Sequence, residues 1–155
     1  MFNLFKKKRN EIASPMTGQV IPITEVEDAV FSSKAMGDGF AVQPSEGKVY
    51  APIKGKITSI FPTKHALGLV DEKGLEVLLH IGIDTVELAG NGFDILVQEG
   101  AEVDFDTQLA TVDLDYLKSK NKPTTTMVIW TNGESATLDI KTGQYTAKTV
   151  IGEVK

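Results

Sequence analysis

Apolar residues in this chain come in short runs, cut by turn residues at fairly regular spacing. The runs are Phe40 to Val42, Lys48 to Tyr50, Lys56 to Phe61, Ala66 to Val70, Leu75 to Ile81, Gln108 to Val112, Met127 to Thr131, Ala136 to Ile140 and Tyr145 to Val150. Each is short enough to be a strand, and many short strands between turns predict an all-β fold, an antiparallel sandwich or barrel. Helix is expected to be scarce. Phe93 to Glu99 and Leu114 to Lys120 each read as a short helix, the second stopped by Asn121-Lys122-Pro123.

The pattern contains a duplication. Ile12-Ala13-Ser14-Pro15-Met16-Thr17-Gly18-Gln19-Val20-Ile21-Pro22-Ile23 recurs at an offset of 37 as Val49-Tyr50-Ala51-Pro52-Ile53-Lys54-Gly55-Lys56-Ile57-Thr58-Ser59-Ile60. Each copy has a turn at Pro-x-x-Gly, where proline presets φ and glycine accepts positive φ, and then enters a strand. Two copies are too few for a solenoid, so they predict two related halves of one compact domain.

Two of the runs, Ala66 to Val70 and Leu75 to Ile81, flank Asp71-Glu72-Lys73-Gly74 and read as a hairpin. If Val70 pairs with Leu75, then His65 and His80, the chain's two histidines, face each other directly. Such pairs have Cβ atoms roughly 4.5–5.5 Å apart, close enough for two imidazoles to hold one phosphate, proton or metal ion. Imidazole is neutral and nucleophilic near neutral pH, which makes the pair a candidate site. In that register Thr63, Leu67 and Leu69 share the histidine face with Leu78 and Glu76, while Ala66, Gly68, Val70, Leu75, Val77 and Leu79 point to the core. Leu67 and Leu78 would then form an apolar rim, which Phe31, Met36 and Phe61 could thicken.

Length and composition suit one soluble domain, taken as residues 12–155 after a flexible basic tail of residues 1–11. No apolar run is long enough to span a bilayer, and the basic residues of the N-terminus follow its apolar ones, the wrong order for a secretory signal. With no cysteine there is no disulfide and no thiolate site. A cytoplasmic protein fits best. The net charge is −5, and Lys6, Lys7, Lys8 and Arg9 contribute +4, leaving −9 for the rest. An acidic body argues against nucleic-acid binding and fits basic protein partners. Phe2, Leu4 and Phe5 beside the four cations suit weak contact with an anionic membrane surface.

The segment Gly74-Leu75-Glu76-Val77-Leu78-Leu79-His80-Ile81-Gly82-Ile83-Asp84-Thr85-Val86 closely resembles the active-site signature of the glucose-type IIA components of the bacterial sugar phosphotransferase system. Thr63-Lys64-His65-Ala66 resembles that family's second histidine segment. Val30-Phe31, Gly37-Asp38-Gly39-Phe40-Ala41 and the Ala51-Pro52-x-x-Gly55 turn match as well. The resemblance implies an antiparallel β-sandwich built from the duplicated half. It implies that His80 takes phosphate from the phosphocarrier HPr and passes it to a cysteine of a IIB domain. His65 would support the phosphate, and Thr63 would orient His65. Asp28 and Asp84 would meet arginine on HPr, and Val30, Phe31, Met36, Phe61, Leu67 and Leu78 would belong to the docking surface. No cofactor is required. Some relatives use their two histidines in zinc binding with a partner's carboxylate, so His65 and His80 are also expected to hold zinc weakly at a partner interface, and regulatory partners are compatible with that use.

Two other readings compete. A zinc hydrolase on a related β-fold would need a third protein ligand beside the two histidines. A lipoyl- or biotin-type carrier would use Lys73 at the hairpin tip, but the sequence expected to flank such a lysine is absent.

Overall fold

A computed structural model describes residues 10–134 and 136–155. The described chain forms fourteen strands: β1 (Asn10–Ala13), β2 (Gly18–Pro22), β3 (Asp38–Pro44), β4 (Lys48–Tyr50), β5 (Gly55–Ile60), β6 (Ala66–Asp71), β7 (Glu76–Ile81), β8 (Phe93–Ile95), β9 (Glu102–Val103), β10 (Gln108–Val112), β11 (Thr126–Trp130), β12 (Leu138–Ile140), β13 (Gly143–Tyr145) and β14 (Val150–Val154). Two short helices, α1 (Ala29–Ser32) and α2 (Leu114–Ser119), are the only α-helices among the described residues. An eight-stranded antiparallel sheet in the order β13-β2-β3-β11-β7-β6-β5-β9 is accompanied by two three-stranded sheets, β1-β14-β12 and β4-β10-β8. The expected all-β sandwich is what forms.

The duplication goes further than the repeated segment. Each copy is a strand, a Pro-x-x-Gly turn and a second strand: β1 into β2, and β4 into β5. The copies bond to each other reciprocally. Ala13 N donates to Pro52 O (2.9 Å), and its repeat partner Tyr50 N donates to Pro15 O (2.8 Å). The large sheet is palindromic about the contact between β11 and β7, with β3 and β6, β2 and β5, and β13 and β9 as mates. One half is therefore β4 through β10, a continuous stretch. The other is β1 to β3 joined with β11 to β14, so the continuous half is inserted into the split one. The ladders fix which residues correspond. Val20 pairs with Val42 as Ile57 pairs with Leu69. Val42 in turn pairs with Thr126 as Leu69 pairs with Val77. The counterparts of His65 and His80 are thus Asp38 and Ile129.

The two faces of the large sheet carry separate apolar clusters. One side packs the main core, with Val20, Phe40, Val42, Ile57, Leu67, Leu69, Leu79, Ile81 and Val128 beneath residues of the smaller sheets such as Ile12, Val49, Leu109 and Ile151. The other side carries a smaller cluster of Ile21, Ile23, Val26, Phe31, Ala41, Ile83, Met127 and Ile129, flanked by Leu78. The ladders align Ile21, Ala41, Met127, His80 and Ala66 in one row across five strands, so His80 lies on the smaller cluster's face.

The hairpin register differs by one residue from the expected one. Asp71, not Val70, is opposite Leu75, and the loop is the three residues Glu72, Lys73 and Gly74. Asp71 N donates to Leu75 O (3.0 Å) and Gly74 N to Asp71 O (3.1 Å). The Asp71 carboxylate closes the turn by accepting from Lys73 N and Leu75 N. Gly74 sits at φ +84, the left-handed residue that three-residue hairpin loops require. His80 is consequently opposite Ala66, not His65. A slip of one residue exchanges faces. Leu67 and Leu69 go into the main core with Val77 and Leu79, while Ala66, Gly68 and Val70 share the His80 face.

Three further expectations are corrected. Phe93 begins a strand rather than a helix, because Phe93 and Ile95 pair with β10. The run from Tyr145 to Val150 splits into the end of β13 and the start of β14, with a turn at left-handed Lys148 between them. Asn10 and Glu11 belong to β1, paired with Val154 and Glu153, so they are strand and not tail. The remaining residues of the basic tail lie outside the described ones. The short helix at Leu114 forms as expected, with the Asp113 side chain accepting from Tyr116 N as its N-cap.

Candidate functional site

His80 is the fifth residue of β7, and His65 immediately precedes β6. Although they are not register partners, their ring centroids are 4.9 Å apart and nearly perpendicular, at 79°. His65 backbone still joins the ladder, Ile81 N donating to His65 O at 2.7 Å. Ahead of it the chain turns sharply. Lys64 adopts a left-handed φ of +61 and donates its N–H to Phe61 O. His65 therefore lies at the mouth of β6, where it reaches the neighbouring ring across the strand end.

Each imidazole has one nitrogen engaged within the protein. His80 Nδ1 lies 2.8 Å from the Gly82 carbonyl. A carbonyl only accepts, so Nδ1 carries the proton and Nε2 keeps a free lone pair. His65 Nδ1 lies 2.8 Å from Thr63 Oγ1. When the threonine hydroxyl donates, the His65 proton resides on Nε2, which complements the bare Nε2 of His80. Thr63 is thus in hydrogen-bond contact with His65, as the resemblance implied.

Burial keeps both rings neutral. It pushes His80 down to about 4, reinforced by the adjacent His65 ring and opposed by the hydrogen bond to Gly82 and the charges of Asp28 and Asp84. His65, which is largely buried, is also lowered by burial, against an opposing hydrogen bond with Thr63.

The surrounding residues divide into three groups. Phe31 is buried on α1 and packs its ring 5.1 Å from that of His80, while Phe61, 39% exposed, stands edge-on to His65 at 5.6 Å. Asp28 and Asp84 both lie close enough for their charges to act on His80. Asp28 caps α1 by accepting from Val30 N, and Asp84 sits at a left-handed φ of +58 ahead of a 3-10 turn over Thr85–Leu88. Val30 is 54% exposed beside Phe31, Met36 is exposed in the turn between α1 and β3, and Leu78 is half-buried on the His80 face. Leu67 does not belong with them. It is fully buried in the main core, as the corrected register requires, and contributes no docking surface.

Sequence reasoning missed two contributors. Val86, 52% exposed, adds apolar surface two residues after Asp84. Thr85, by contrast, is fully buried, with its hydroxyl on Ile81 O at 2.6 Å. Both stand inside the matched signature, but a lone threonine in an apolar run gives no signal of where its hydroxyl goes.

Among the described residues, no group of three or more His, Asp or Glu side chains is placed to hold a metal ion. The histidines do not line the cavity of about 600 Å³ by Ile53, Lys54, Asp71, Tyr145 and Ile151, which lies at the far end of β6. Exposed apolar side chains flank the histidine pair instead, a setting that suits contact with another protein. Among the described residues no helix is long and apolar enough to cross a membrane.

Residues 10–136 match the family described as phosphoenolpyruvate-dependent sugar phosphotransferase system, EIIA 1. The solved structure of glucose permease IIA from Mycoplasma capricolum is 40% identical to this chain, covers 95% of it and 96% of that chain, and superposes with a TM-score of 0.89. Phosphotransfer is thereby favoured over the zinc-hydrolase and lipoyl- or biotin-carrier readings. The chain belongs to the EIIA type 1 family of the phosphoenolpyruvate-dependent sugar phosphotransferase system, a phosphocarrier family of sugar transport whose members interact with HPr and IIB components.

Proposed function

We propose that His80 carries the phosphate. Its Nε2 lone pair attacks the phosphorus of phosphohistidine on HPr. A new N–P bond forms as the donor's N–P bond breaks, and that electron pair returns to the donor imidazole. In the second step a thiolate of a IIB domain attacks the same phosphorus. The S–P bond forms, and the electron pair of the His80 N–P bond returns to Nε2. The observation that carries this reading is the hydrogen bond from His80 Nδ1 to the Gly82 carbonyl, which leaves Nε2 unprotonated beside His65.

His65 supplies the second part. With Thr63 donating to its Nδ1, its Nε2–H donates to a phosphoryl oxygen on His80, stabilising the charge that builds on the equatorial oxygens during transfer. Phe31 and Phe61 pack against the two rings, and a docked partner completes the exclusion of water. Asp28 and Asp84 attract basic groups on HPr. The reaction needs no cofactor from this chain. Zinc at the pair would have two imidazole nitrogens and would take its remaining ligands from a partner or from water. A cytoplasmic location follows from the same partners.

The test is His80→Gln exposed to phosphorylated HPr, with acid-labile phosphate read by mass spectrometry. The variant is expected to keep its circular dichroism spectrum and to accept no phosphate. Acid-labile phosphate at the wild-type level would refute the assignment.

A further inference from the structure

We propose that Thr85 is a positioning residue that holds the Gly82 carbonyl on His80 and so fixes which ring nitrogen is free; this rests on His80 being the phosphate acceptor. Strand β7 ends at Ile81, and Gly82 follows at φ +78. That reversal turns the Gly82 carbonyl back toward the ring two residues earlier, a placement that the regular ladder does not provide. The segment must be held by other contacts, and Thr85 supplies them on one side. Its hydroxyl donates to Ile81 O at 2.6 Å. Its methyl fills the space against Gly82, where an added Cβ would come within 2.5 Å of Thr85 Cγ2. On the other side Ile83 N donates to Pro123 O at 3.1 Å. Asp84, left-handed at φ +58, lets Thr85 fold back beneath Ile81.

Simple core filling would not require the hydroxyl, since valine has nearly the same shape. Thr85 uses both branches on the backbone of Ile81, which follows His80, and of Gly82, which bears its carbonyl partner. Without the hydroxyl, the Ile81–Gly82 segment loses one of its holds, and His80 samples the tautomer with its proton on Nε2. That tautomer has no Nε2 lone pair with which to attack phosphorus.

The experiment uses the full chain labelled with ¹⁵N, and imidazole nitrogen–proton correlation spectra are recorded at neutral pH without any phosphate donor. Wild type is expected to show His80 as a single Nδ1–H tautomer, and Thr85→Val a mixture of both. Rapid-mixing acceptance from phosphorylated HPr is expected to slow about 10-fold in Thr85→Val, the scale seen when a partner orienting an imidazole is lost, and Thr85→Ser to recover most of that loss. A Thr85→Val chain that melts lower yet keeps one tautomer or the wild-type rate overturns the proposal. If Thr85→Val does not fold, Thr85→Ala against Thr85→Ser is read the same way. Because the tautomer is measured without phosphate, its outcome is independent of His80→Gln, and failure of either reading is seen separately.

Discussion

The two halves of this domain share one backbone plan but only one of them carries the histidine pair. In the inserted half, the positions at the start of β6 and near the end of β7 hold His65 and His80. In the other half, the same positions hold Asp38, which forms an exposed ion pair with Lys34 at 3.5 Å, and Ile129, which is fully buried. The difference continues beyond the strand ends. After Ile81 the chain breaks away at left-handed Gly82, and its carbonyl comes to rest on His80. After Trp130 the ladder simply continues, Thr131 N donating to Glu76 O at 3.0 Å. The duplicated framework thus provides places. What sets one place apart is two imidazoles, a chain reversal that puts a carbonyl on His80, and carboxylates close by.

The comparison can be broken first at the histidine positions. His65→Gln removes a donor from the transferring phosphate and is expected to slow onward transfer to IIB by about 10²–10³-fold, as loss of an oxyanion-hole donor does. Asp38→Asn at the corresponding position is expected to leave the rate unaltered. Rapid-mixing measurements of both variants decide the point, and a His65→Gln chain with normal onward transfer would remove its supporting role.

A smaller effect is expected from charge. Reversing Asp28 and Asp84 together to lysine should lower the association rate with HPr about 10-fold at low salt and flatten its salt dependence. Reversing Asp38 alone, at the position that corresponds to His65, should change that rate far less. Stopped-flow association across a salt series measures this, and an effect of Asp38 reversal equal to that of the Asp28 and Asp84 pair would argue against docking at the histidine face.

Stability should carry a third mark of the difference. His80 is held near 4 in the folded chain, below the ordinary histidine value of 6.5, so the unfolded chain binds its proton first as pH falls. The contribution is present in full above pH 6.5, is lost as pH drops toward 4, and changes no further below that. The loss is on the order of 3 kcal/mol, given about 1.4 kcal/mol per unit of pKa difference. Urea unfolding of wild type and His80→Gln across this window should show the variant with a shallower slope. Parallel curves would mean that His80 is not held neutral. The least change is expected from zinc. Calorimetry on the isolated chain should find only weak binding, which phosphorylation abolishes by occupying the same nitrogen. A nanomolar site that survives phosphorylation would revive the metalloenzyme reading.

Much of this contrast was legible in the residues. Alternating runs and the two Pro-x-x-Gly frames foretold the sheets and the first strands of each half, and the use of both histidines in one hairpin singled out the site. The hairpin register was not legible, because Asp71 can either begin the loop or end the strand. Its carboxylate bonds to Lys73 N and Leu75 N decide for the latter, and that one-residue choice moved Leu67 from the rim to the core. The rings meet nonetheless, because His65 sits beyond the regular strand, beside a left-handed lysine that no propensity scale would suggest. Phe93 was misread because a short apolar run is ambiguous between helix and strand until its partner β10 is known. The nesting of the halves was hidden because β11 to β14 preserve strand positions without the recurring frame of β1 and β2.

That nesting bears on how the chain is made. Synthesis delivers β1, β2 and β3 first, yet β1 pairs with β14, and β3 needs β11 for its second edge. Between them the ribosome must extrude the whole of β4 to β10, whose ladders close within that stretch except for the join of β7 to β11. The later-made half can therefore assemble while the earlier one waits, and pairing Asn10 with Val154 closes nearly the longest loop the chain allows. Phe31, which covers His80, comes from the waiting half. The pairings thus allow a nascent chain to set both histidines on the β4 to β10 ladders before the wall of their site is in place, with the β2–β3 hairpin leaving an unpaired edge until β11 arrives.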